Sequence, residues 1–181
     1  MDVGVIGTGM MGQNHVRVYS ELKEVGSVVI YDVNRSQAEK IATQNNAEVA
    51  DSYEDLFHRV EAVSLCVPTP FHYNVALQVI NAGMNVLIEK PICLSSSESK
   101  ELEKQIPDDI VVGVGHIERF NPIVSEISQI ISDPLYIEFK RHNPTSSRIT
   151  GSSVVEDLMI HDIDIMLHAL GCSDVGVQAN G

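Results

Sequence analysis

Short runs of apolar, mostly β-branched residues alternate along the first part of the chain with longer segments whose apolar residues recur every three or four positions. The runs predict β-strands, and the longer segments predict amphipathic helices. The predicted strands are residues 3–6, 28–31, 62–67, 85–88 and 110–114. The predicted helices are residues 10–25, 36–46, 53–59, 72–82 and 96–105. This alternation is typical of βαβ units and predicts an α/β fold with a doubly wound parallel sheet.

The pattern changes after residue 114. Residues 115–122 are irregular, residues 123–131 have helical spacing, and residues 135–140 alternate like a strand with one exposed face. A polar, turn-rich loop at 143–153 follows, and a further strand is predicted to begin at 175–178. We therefore predict one domain over residues 1–118 and a second over residues 119–181. Because so few strands cannot complete an open sheet, the second α/β domain is expected to be the truncated, N-terminal part of a larger one.

Composition narrows the class of protein. The chain has 181 residues, of which 44% are hydrophobic, enough to bury a sizeable core. Its 25 acidic residues outnumber its 12 basic ones, and the net charge of −13 argues against a nucleic-acid partner. Its three cysteines have no paired spacing, no secretory leader is recognisable, and no apolar run is long enough to span a bilayer. We expect a cytoplasmic protein that binds neither nucleic acid nor membranes.

A glycine-rich turn joins the first predicted strand to the first predicted helix. Gly7, Gly9 and Gly12 form the spacing G-x-G-x-x-G, and Asp32 ends the second strand 20 residues later. This context is typical of dinucleotide binding, with the pyrophosphate at the helix N-terminus and the acid on the ribose hydroxyls. The acid favours NAD over NADP, although Arg35 could accommodate a 2′-phosphate. The alternative is that the glycines serve packing alone and that Asp32 caps the next helix.

Further residues are expected to border the cofactor because they lie where strands end, at the ligand-binding edge of such sheets. The turn at residues 66–70 carries two prolines that would stiffen a wall for the ribose or nicotinamide, or else form a rigid loop without a ligand. Its cysteine is more typical of a buried small apolar residue than of a nucleophile. Besides the glycines and the acid, the predicted cofactor-binding residues are Met10, Met11, Cys66, Pro68, Thr69, His72, Glu89 and Lys90.

The segment 157–168 places ionisable groups in an otherwise apolar helix. Asp157, His161, Asp164 and His168 are spaced by four, three and four residues, so a regular α-helix would carry them on one stripe. Ionisable groups aligned in this way in an apolar helix indicate a functional site. It could serve acid–base catalysis, or it could hold a metal, because Asp and His at helical spacing can bind zinc or manganese.

Three motifs together resemble the Gfo/Idh/MocA family of oxidoreductases: residues 7–12, the segment Glu89-Lys90-Pro91, and Asp157-x-x-x-His161. The resemblance covers the whole chain. It implies an N-terminal Rossmann domain and a C-terminal α/β domain whose open sheet faces the substrate and often another subunit, so a homo-oligomer is expected. It also implies that Lys90, Asp157 and His161 are the catalytic group and that the Lys90–Pro91 peptide is often cis. NAD is the expected cofactor. No metal is expected, because the glycine turn indicates a dinucleotide and a cation such as Lys90 beside a metal site would be electrostatically costly.

A narrower resemblance concerns residues 115–122 and 160–164. These segments are similar to those of family members that oxidise the 3-hydroxyl of UDP-N-acetylglucosamine or a related nucleotide sugar. By this resemblance Lys90, Arg119, Asn121 and His161 bind the substrate, with Arg119 suited to an anion and Asn121 to a sugar hydroxyl. Their alternatives are a surface ion pair for Arg119 and, for Asn121, a helix N-cap before Pro122.

The expected activity follows from these residues. Oxidation of a secondary alcohol needs a base near neutrality for the hydroxyl proton, and His161 is suited to that role, with Asp157 orienting its ring and Lys90 stabilising the developing alkoxide. The prediction is an NAD-dependent dehydrogenase of a sugar or UDP-sugar. Two alternatives stay open: a catalytically impaired NAD-binding sensor or assembly protein, and a metal-dependent enzyme that uses the Asp/His helix.

Overall fold

The computed structural model describes residues 1–142, 153–171 and 176–178. The chain divides into two compact units, Met1–Gly115 and His116–Gly181. The domain boundary predicted after residue 118 lies three residues beyond this division. That each unit folds as an independent domain stays a prediction.

The first unit contains a six-stranded parallel sheet. Its strands are β1 (Val3–Ile6), β2 (Val28–Tyr31), β3 (Glu48–Val49), β4 (Ala62–Leu65), β5 (Asn85–Ile88) and β6 (Val112–Val114). They are arranged in the order β3-β2-β1-β4-β5-β6. The strand order therefore changes direction between β1 and β4. Doubly wound folds bind their ligands at such a topological switch point. The predicted fold class, a doubly wound α/β Rossmann sheet, is confirmed.

The helices of the first unit are α1 (Met10–Glu21), α2 (Arg35–Asn45), α3 (Tyr53–Phe57), α4 (His72–Asn81) and α5 (Ser96–Glu103). Each corresponds to a predicted helix, with ends that differ by a few residues. The short strand β3 was not predicted, because two residues carry no readable alternation. The predicted strand at 62–67 ends at Leu65, since the chain leaves the sheet before Pro68, which has no N–H to donate.

The core consists of two apolar clusters. One contains Val5, Val16 and Ile30, and the other contains Ile6 and Leu65, all essentially inaccessible to solvent. Val5 and Ile6 are consecutive in β1, and consecutive strand residues point to opposite faces of a sheet. The central strands are thus covered on both faces, as expected for parallel strands with helices on either side.

The second unit has less regular structure. A 3-10 turn at Ile117–Phe120 leads into α6 (Pro122–Ile130), and a π-helical segment at Val155–Met159 continues directly into α7 (Ile160–Leu170). Among the described residues, none of the helices is both long and apolar enough to cross a membrane.

The strand predicted at residues 135–140 is wrong. These residues adopt no regular structure, and Leu135 is fully exposed. Alternation alone does not make a strand, because the backbone groups need a neighbouring strand, and no sheet forms within the described part of this unit. Of the strand predicted at 175–178, residues 176–178 are irregular and residue 175 lies outside the described residues. Most of the predicted loop at 143–153 lies outside them as well.

Candidate active site

The register of the sheet brings the predicted cofactor residues to one edge. Ile6 lies beside Tyr31 and Leu65, and Leu65 lies beside Ile88. The residue that follows each of these four therefore lies at the carboxyl edge of the sheet. Those residues are Gly7, Asp32, Cys66 and Glu89.

The three glycines of the first turn have separate structural roles. Gly7 has a φ of +90°, and a Cβ there would lie 2.8 Å from the backbone of Cys66. A Cβ at Gly12 would lie 1.9 Å from the carbonyl oxygen of Gly7, so only glycine allows α1 to approach the strand this closely. A Cβ at Gly9 would have nothing within 4 Å. The turn therefore leaves open space at Gly9, at the beginning of α1.

Asp32 holds this turn in place. Thr8, which is completely buried, donates from its backbone N and from Oγ1 to Asp32 Oδ2, at 2.6 and 2.8 Å. The Thr8 carbonyl accepts from the side-chain amides of Gln13, at 3.1 Å, and Gln37, at 2.7 Å. Thr8, Gln13 and Gln37 were not among the predicted residues, because their contacts depend on α1 and α2 packing beside the turn.

A shallow cavity of about 60 Å³ lies beside Asp32. Its walls are Ile6, Gly7, Tyr31, Asp32, Val33, Tyr53 and Val67. Asp32 Oδ1 also accepts from the backbone N of Asn34 at 2.8 Å. Asn34, rather than Asp32, caps α2, since its side chain accepts from the Gln37 amide. The alternative role for Asp32 as the helix cap is therefore not what the structure shows.

Arg35, the residue that could bind a 2′-phosphate, is paired with carboxylates. Its guanidinium donates to Glu39 at 2.9 Å and to Asp51 at 2.5 Å. These hydrogen bonds, the one to Asp51 first, raise the pKa of Arg35. In this arrangement a phosphate would have to compete with two carboxylates for the same cation.

The turn after β4 is tied to the turn after β5 by His72. His72 is buried at the beginning of α4, and its ring nitrogens lie 2.7 Å from the carbonyl oxygen of Val67 and 2.8 Å from that of Pro91. A neutral imidazole has one N–H and can donate to one of these carbonyls, whereas the imidazolium can donate to both. The imidazole thus lies between two backbone carbonyls and donates to at least one of them, and its role in cofactor binding stays a prediction.

The other predicted residues of the turn after β4 differ in exposure. Pro68 is exposed, and Thr69 and Cys66 are half-buried. Burial, followed by the charge of Glu89, raises the pKa of the Cys66 thiol. The thiol therefore stays protonated, which agrees with its interpretation as a small apolar residue. Met10 is exposed at the beginning of α1, and Met11 is half-buried.

The segment Glu89-Lys90-Pro91 follows β5 directly, and the Lys90–Pro91 peptide is cis. The Glu89 carboxylate is buried, accepts from His15 Nε2 at 2.9 Å, and accepts from the backbone N of Lys90 at 3.3 Å. Lys90 itself is half-buried. His15 was not among the predicted residues, since its position three residues after Gly12 is the only local signal for it.

Asp157 and His161 lie in the second unit, both half-buried. They are not on one regular α-helix as predicted, because Asp157 belongs to the π-helical segment and His161 to the first turn of α7. A π-turn has wider spacing than an α-turn, so the four-residue stripe is broken at its first member. Short π-helical segments are frequent at functional sites, since they turn a side chain away from the regular helical face.

Arg119 and Asn121 both have partners within the second unit. Arg119 binds Asp164 of α7 through two hydrogen bonds, from Nε at 2.7 Å and from Nη2 at 2.5 Å. Asn121 caps α6 by accepting from Ile123 N at 3.2 Å, so its alternative interpretation as a helix N-cap is confirmed. Substrate contacts by either residue stay predictions.

Asp164 is the buried partner of that ion pair, with 7% of its surface exposed. Burial alone would raise its pKa, but the hydrogen bonds from Arg119 and the nearby charges of His116, Arg119 and His168 outweigh burial and lower it. The carboxylate is therefore ionised. In the described part of the chain no group of three His, Cys, Asp or Glu side chains has the arrangement of a metal site, so the metal-dependent alternative has no ligand set there.

Comparison with known proteins supports the family resemblance that the sequence motifs indicate. A family model described as an oxidoreductase family with an NAD-binding Rossmann fold matches residues 1–120. UDP-N-acetylglucosamine 3-dehydrogenase from Acidithiobacillus ferrooxidans is 34% identical over the whole chain, which covers 58% of that protein. Inositol 2-dehydrogenase from Serratia proteamaculans is 28% identical over 98% of the chain and 57% of its own length.

Solved structures agree with the sequence comparisons. A structure of UDP-N-acetylglucosamine 3-dehydrogenase GnnA from Acidithiobacillus ferrooxidans matches 99% of the chain and 61% of its own, with a TM-score of 0.87 and 34% identity. The chain thus spans about three fifths of the length of the relatives that it matches. Its glycine turn, the acid after β2 and its overall similarity lead to one conclusion: the chain belongs to the Gfo/Idh/MocA family of oxidoreductases, with an NAD-binding Rossmann fold.

Proposed function

We propose that this protein transfers a hydride between NAD and a secondary hydroxyl of a sugar or nucleotide sugar, with the 3-hydroxyl of UDP-N-acetylglucosamine as the first candidate. The observation that carries the proposal is the common sheet edge: Asp32, the glycine turn and the Glu89-Lys90-Pro91 segment all follow strands that end at that edge. A cofactor site and a candidate catalytic lysine thus belong to one rigid framework. The 34% identity to a UDP-N-acetylglucosamine 3-dehydrogenase supports the choice of substrate.

The residues at this edge fit NAD in three respects. Gly9 leaves open space where α1 begins, and helix N-termini favour anions such as a pyrophosphate. The carboxylate of Asp32 suits the two ribose hydroxyls and would repel a 2′-phosphate. Arg35 is already paired with Glu39 and Asp51. These features favour NAD over NADP.

The proposed chemistry assigns one role to each catalytic residue. A bound NAD would supply the acceptor for the hydride of the alcohol carbon. His161 accepts the hydroxyl proton, so that the C–H and O–H bonds break together and a carbonyl forms. Asp157 orients the imidazole and stabilises its protonated form, and Lys90 stabilises the negative charge that develops on oxygen. In the reverse direction His161 returns the proton to the alcohol oxygen.

Two measurements test the proposal. Fluorescence titration should show that NADH binds more tightly than NADPH. Incubation with NAD and a panel of UDP-sugars and inositols should produce NADH, with UDP-N-acetylglucosamine giving the fastest rate. Binding of neither dinucleotide would contradict the cofactor assignment. Turnover of inositols alone would leave the reaction class standing and remove the nucleotide-sugar assignment.

A second candidate function is an NAD-binding sensor or assembly protein. It is favoured by the placement of the predicted cofactor residues, which lie entirely within the first unit. NADH binding without turnover of any substrate on the panel would support this second function and contradict the first.

We also propose that the protein is a homo-oligomer that associates through its second unit. Several large apolar side chains of that unit are strongly exposed, which is typical of surfaces that bind another chain. They are Phe120, Ile130, Leu135 and Tyr136. Light scattering after size-exclusion chromatography should give a mass of at least twice 19.8 kDa. A monomer at micromolar concentration would contradict the proposal.

A further inference from the structure

Four polar side chains form a continuous hydrogen-bonded network inside the first unit, and three of them, Tyr19, Ser64 and His15, have no part in the proposed function. Tyr19 OH lies 2.6 Å from Ser64 Oγ, Ser64 Oγ lies 3.1 Å from His15 Nδ1, and His15 Nε2 lies 2.9 Å from Glu89 Oε1. His15 and Tyr19 are four residues apart in α1, and therefore lie on one face of that helix. Ser64 and Glu89 are buried. The network therefore connects α1, β4 and the Glu89-Lys90-Pro91 segment.

Each hydrogen bond of this network can be assigned one donor and one acceptor without conflict. An ionised carboxylate only accepts, so His15 Nε2 carries the hydrogen and donates to Glu89. In that neutral tautomer Nδ1 accepts from the hydroxyl of Ser64, and Ser64 Oγ accepts in turn from Tyr19. Burial raises the pKa of Tyr19, which keeps the phenol protonated as the first donor. Every member has a partner, and a fully satisfied buried network is rigid.

Glu89 links this network to the backbone of Lys90. Its Oε2 accepts from the backbone N of Lys90 at 3.3 Å, and its own N donates to the carbonyl of Leu65 at 3.0 Å. Gly115 also lies close to the carboxylate, since a Cβ there would be 3.0 Å from Oε1. His15 and Gly115 therefore both approach the carboxylate closely. A buried charge of this kind is costly unless its partners are in place.

We propose that His15 is a positioning residue for Lys90: its Nε2–H fixes the Glu89 carboxylate, and Glu89 fixes the peptide that carries Lys90. His15 need not touch substrate or cofactor in this role. The inference rests on the proposed function only in that Lys90 is the residue whose position matters. The alternative is that His15 merely packs α1 onto the sheet, in which case its loss would destabilise the fold without a selective effect on Lys90.

The reactivity of Lys90 toward an acylating reagent tests the proposal without any turnover. Mass spectrometry of the folded chain gives the labelling rate of Lys90 relative to that of the exposed Lys104. His15→Phe removes both ring nitrogens and should raise this ratio several-fold. His15→Gln keeps an amide N–H that can reach Glu89 and should give a ratio closer to that of the wild type. Tyr19→Phe leaves the bond between His15 and Glu89 intact and serves as the matched control, with a ratio within about twofold of the wild type.

A second variant covers the case in which His15→Phe does not fold. Glu89→Gln has nearly the same volume, weakens the charge-assisted bond, and should raise the ratio in the same way. An unchanged ratio in a folded His15→Phe protein, or in Glu89→Gln where the first variant is unfolded, overturns the proposal. Equal ratios for His15→Gln and His15→Phe overturn it as well.

Turnover separates this inference from the proposed function. In an active enzyme, His15→Phe should lower kcat about tenfold while the KM for NAD stays within about twofold. A changed labelling ratio in a protein that turns over no substrate supports the positioning role and contradicts the proposed function. Normal turnover with an unchanged ratio contradicts the positioning role alone.

Discussion

Arg119 donates two hydrogen bonds to the carboxylate of Asp164. The pair joins the 3-10 turn at Ile117–Phe120 to the middle of α7. The two residues are 45 positions apart in the chain. The pair is asymmetric, because the arginine side chain is 42% exposed and the aspartate side chain only 8%. Removing the arginine would leave a carboxylate that is buried without its main partner.

The first prediction concerns the stability of this pair. Arg119→Met should destabilise α7 by about 1.5–3 kcal/mol, the range for hydrogen bonds to a charged group. Arg119→Lys keeps the charge but not the two-bond geometry and should lie between Arg119→Met and the wild type. Hydrogen exchange of the α7 amides measures the effect. Unchanged protection in Arg119→Met would show that the pair does not stabilise the helix.

The pair also predicts a pH dependence. The pKa of Asp164 is lower in the folded protein than its ordinary value of about 3.9. A lowered pKa contributes stability that is present above the unfolded value and is lost as the pH falls through the folded one. The difference in α7 protection between the wild type and Asp164→Asn should thus be largest near neutrality and should shrink below about pH 4. A difference that grows in acid would contradict this assignment.

The second prediction uses two glycines of the same turn. Gly12→Ala places a Cβ 1.9 Å from a backbone oxygen, so it should destabilise the first unit by about 1–3 kcal/mol. Gly9→Ala places a Cβ in open space at a φ of −63°, which any residue adopts, so stability should change by less than about 0.5 kcal/mol. Gly9→Ala should nevertheless weaken NADH binding, because the pyrophosphate is proposed to approach there.

Thermal unfolding and NADH titration of both glycine variants test these expectations together. The informative result is the combination of normal stability and weakened binding in Gly9→Ala. Normal NADH affinity in that variant would mean that the pyrophosphate does not approach the turn at Gly9.

The third prediction concerns cofactor choice. Asp32→Asn should lower NADH affinity about tenfold, because the charge that suits the ribose hydroxyls is lost and the acceptor of the two Thr8 bonds is weakened. Asp51→Asn releases Arg35 from one of its two carboxylates and should improve NADPH binding without harming NADH binding. Glu21→Gln, on the exposed face of α1, is the matched charge control. Unchanged ratios of NADPH to NADH affinity in both Asp variants would contradict the NAD assignment.

The fourth prediction concerns His72, whose ring nitrogens lie within hydrogen-bond distance of the carbonyls of Val67 and Pro91. His72→Phe keeps the ring volume but removes the ring N–H that donates to these carbonyls, and each half-buried carbonyl that loses its donor costs up to about 1–3 kcal/mol. Urea unfolding of the first unit and hydrogen exchange of residues 67–72 and 92–93 should both show the loss. His58→Phe, at an exposed position, is the control. Equal stability of the two variants would show that His72 does not tie the turns together.

Much of the first unit could be predicted from the sequence because its signals are local. Each strand of four residues and each long helix carries its own periodicity, and Ser95 and Glu98, three residues apart, form a capping box at the beginning of α5. The glycine turn with Asp32, the cis Lys90–Pro91 peptide expected from the family resemblance, and the N-cap at Asn121 are also short-range features. Such features depend on a few neighbouring residues, so a single sequence is enough to identify them.

The remaining features depend on residues that are far apart in the chain, and only the tertiary structure decided them. His15 and Glu89 are 74 residues apart, and the residues around each of them do not predict that they form a buried pair. The short strand β3 exists because β2 offers it a partner, whereas the alternating residues 135–140 form no strand because the described part of their unit offers none. The sequence alone determined the class of fold and the cofactor turn. The partners of buried polar groups and unpaired backbone were determined by packing, since only folding brings distant donors and acceptors within hydrogen-bond distance.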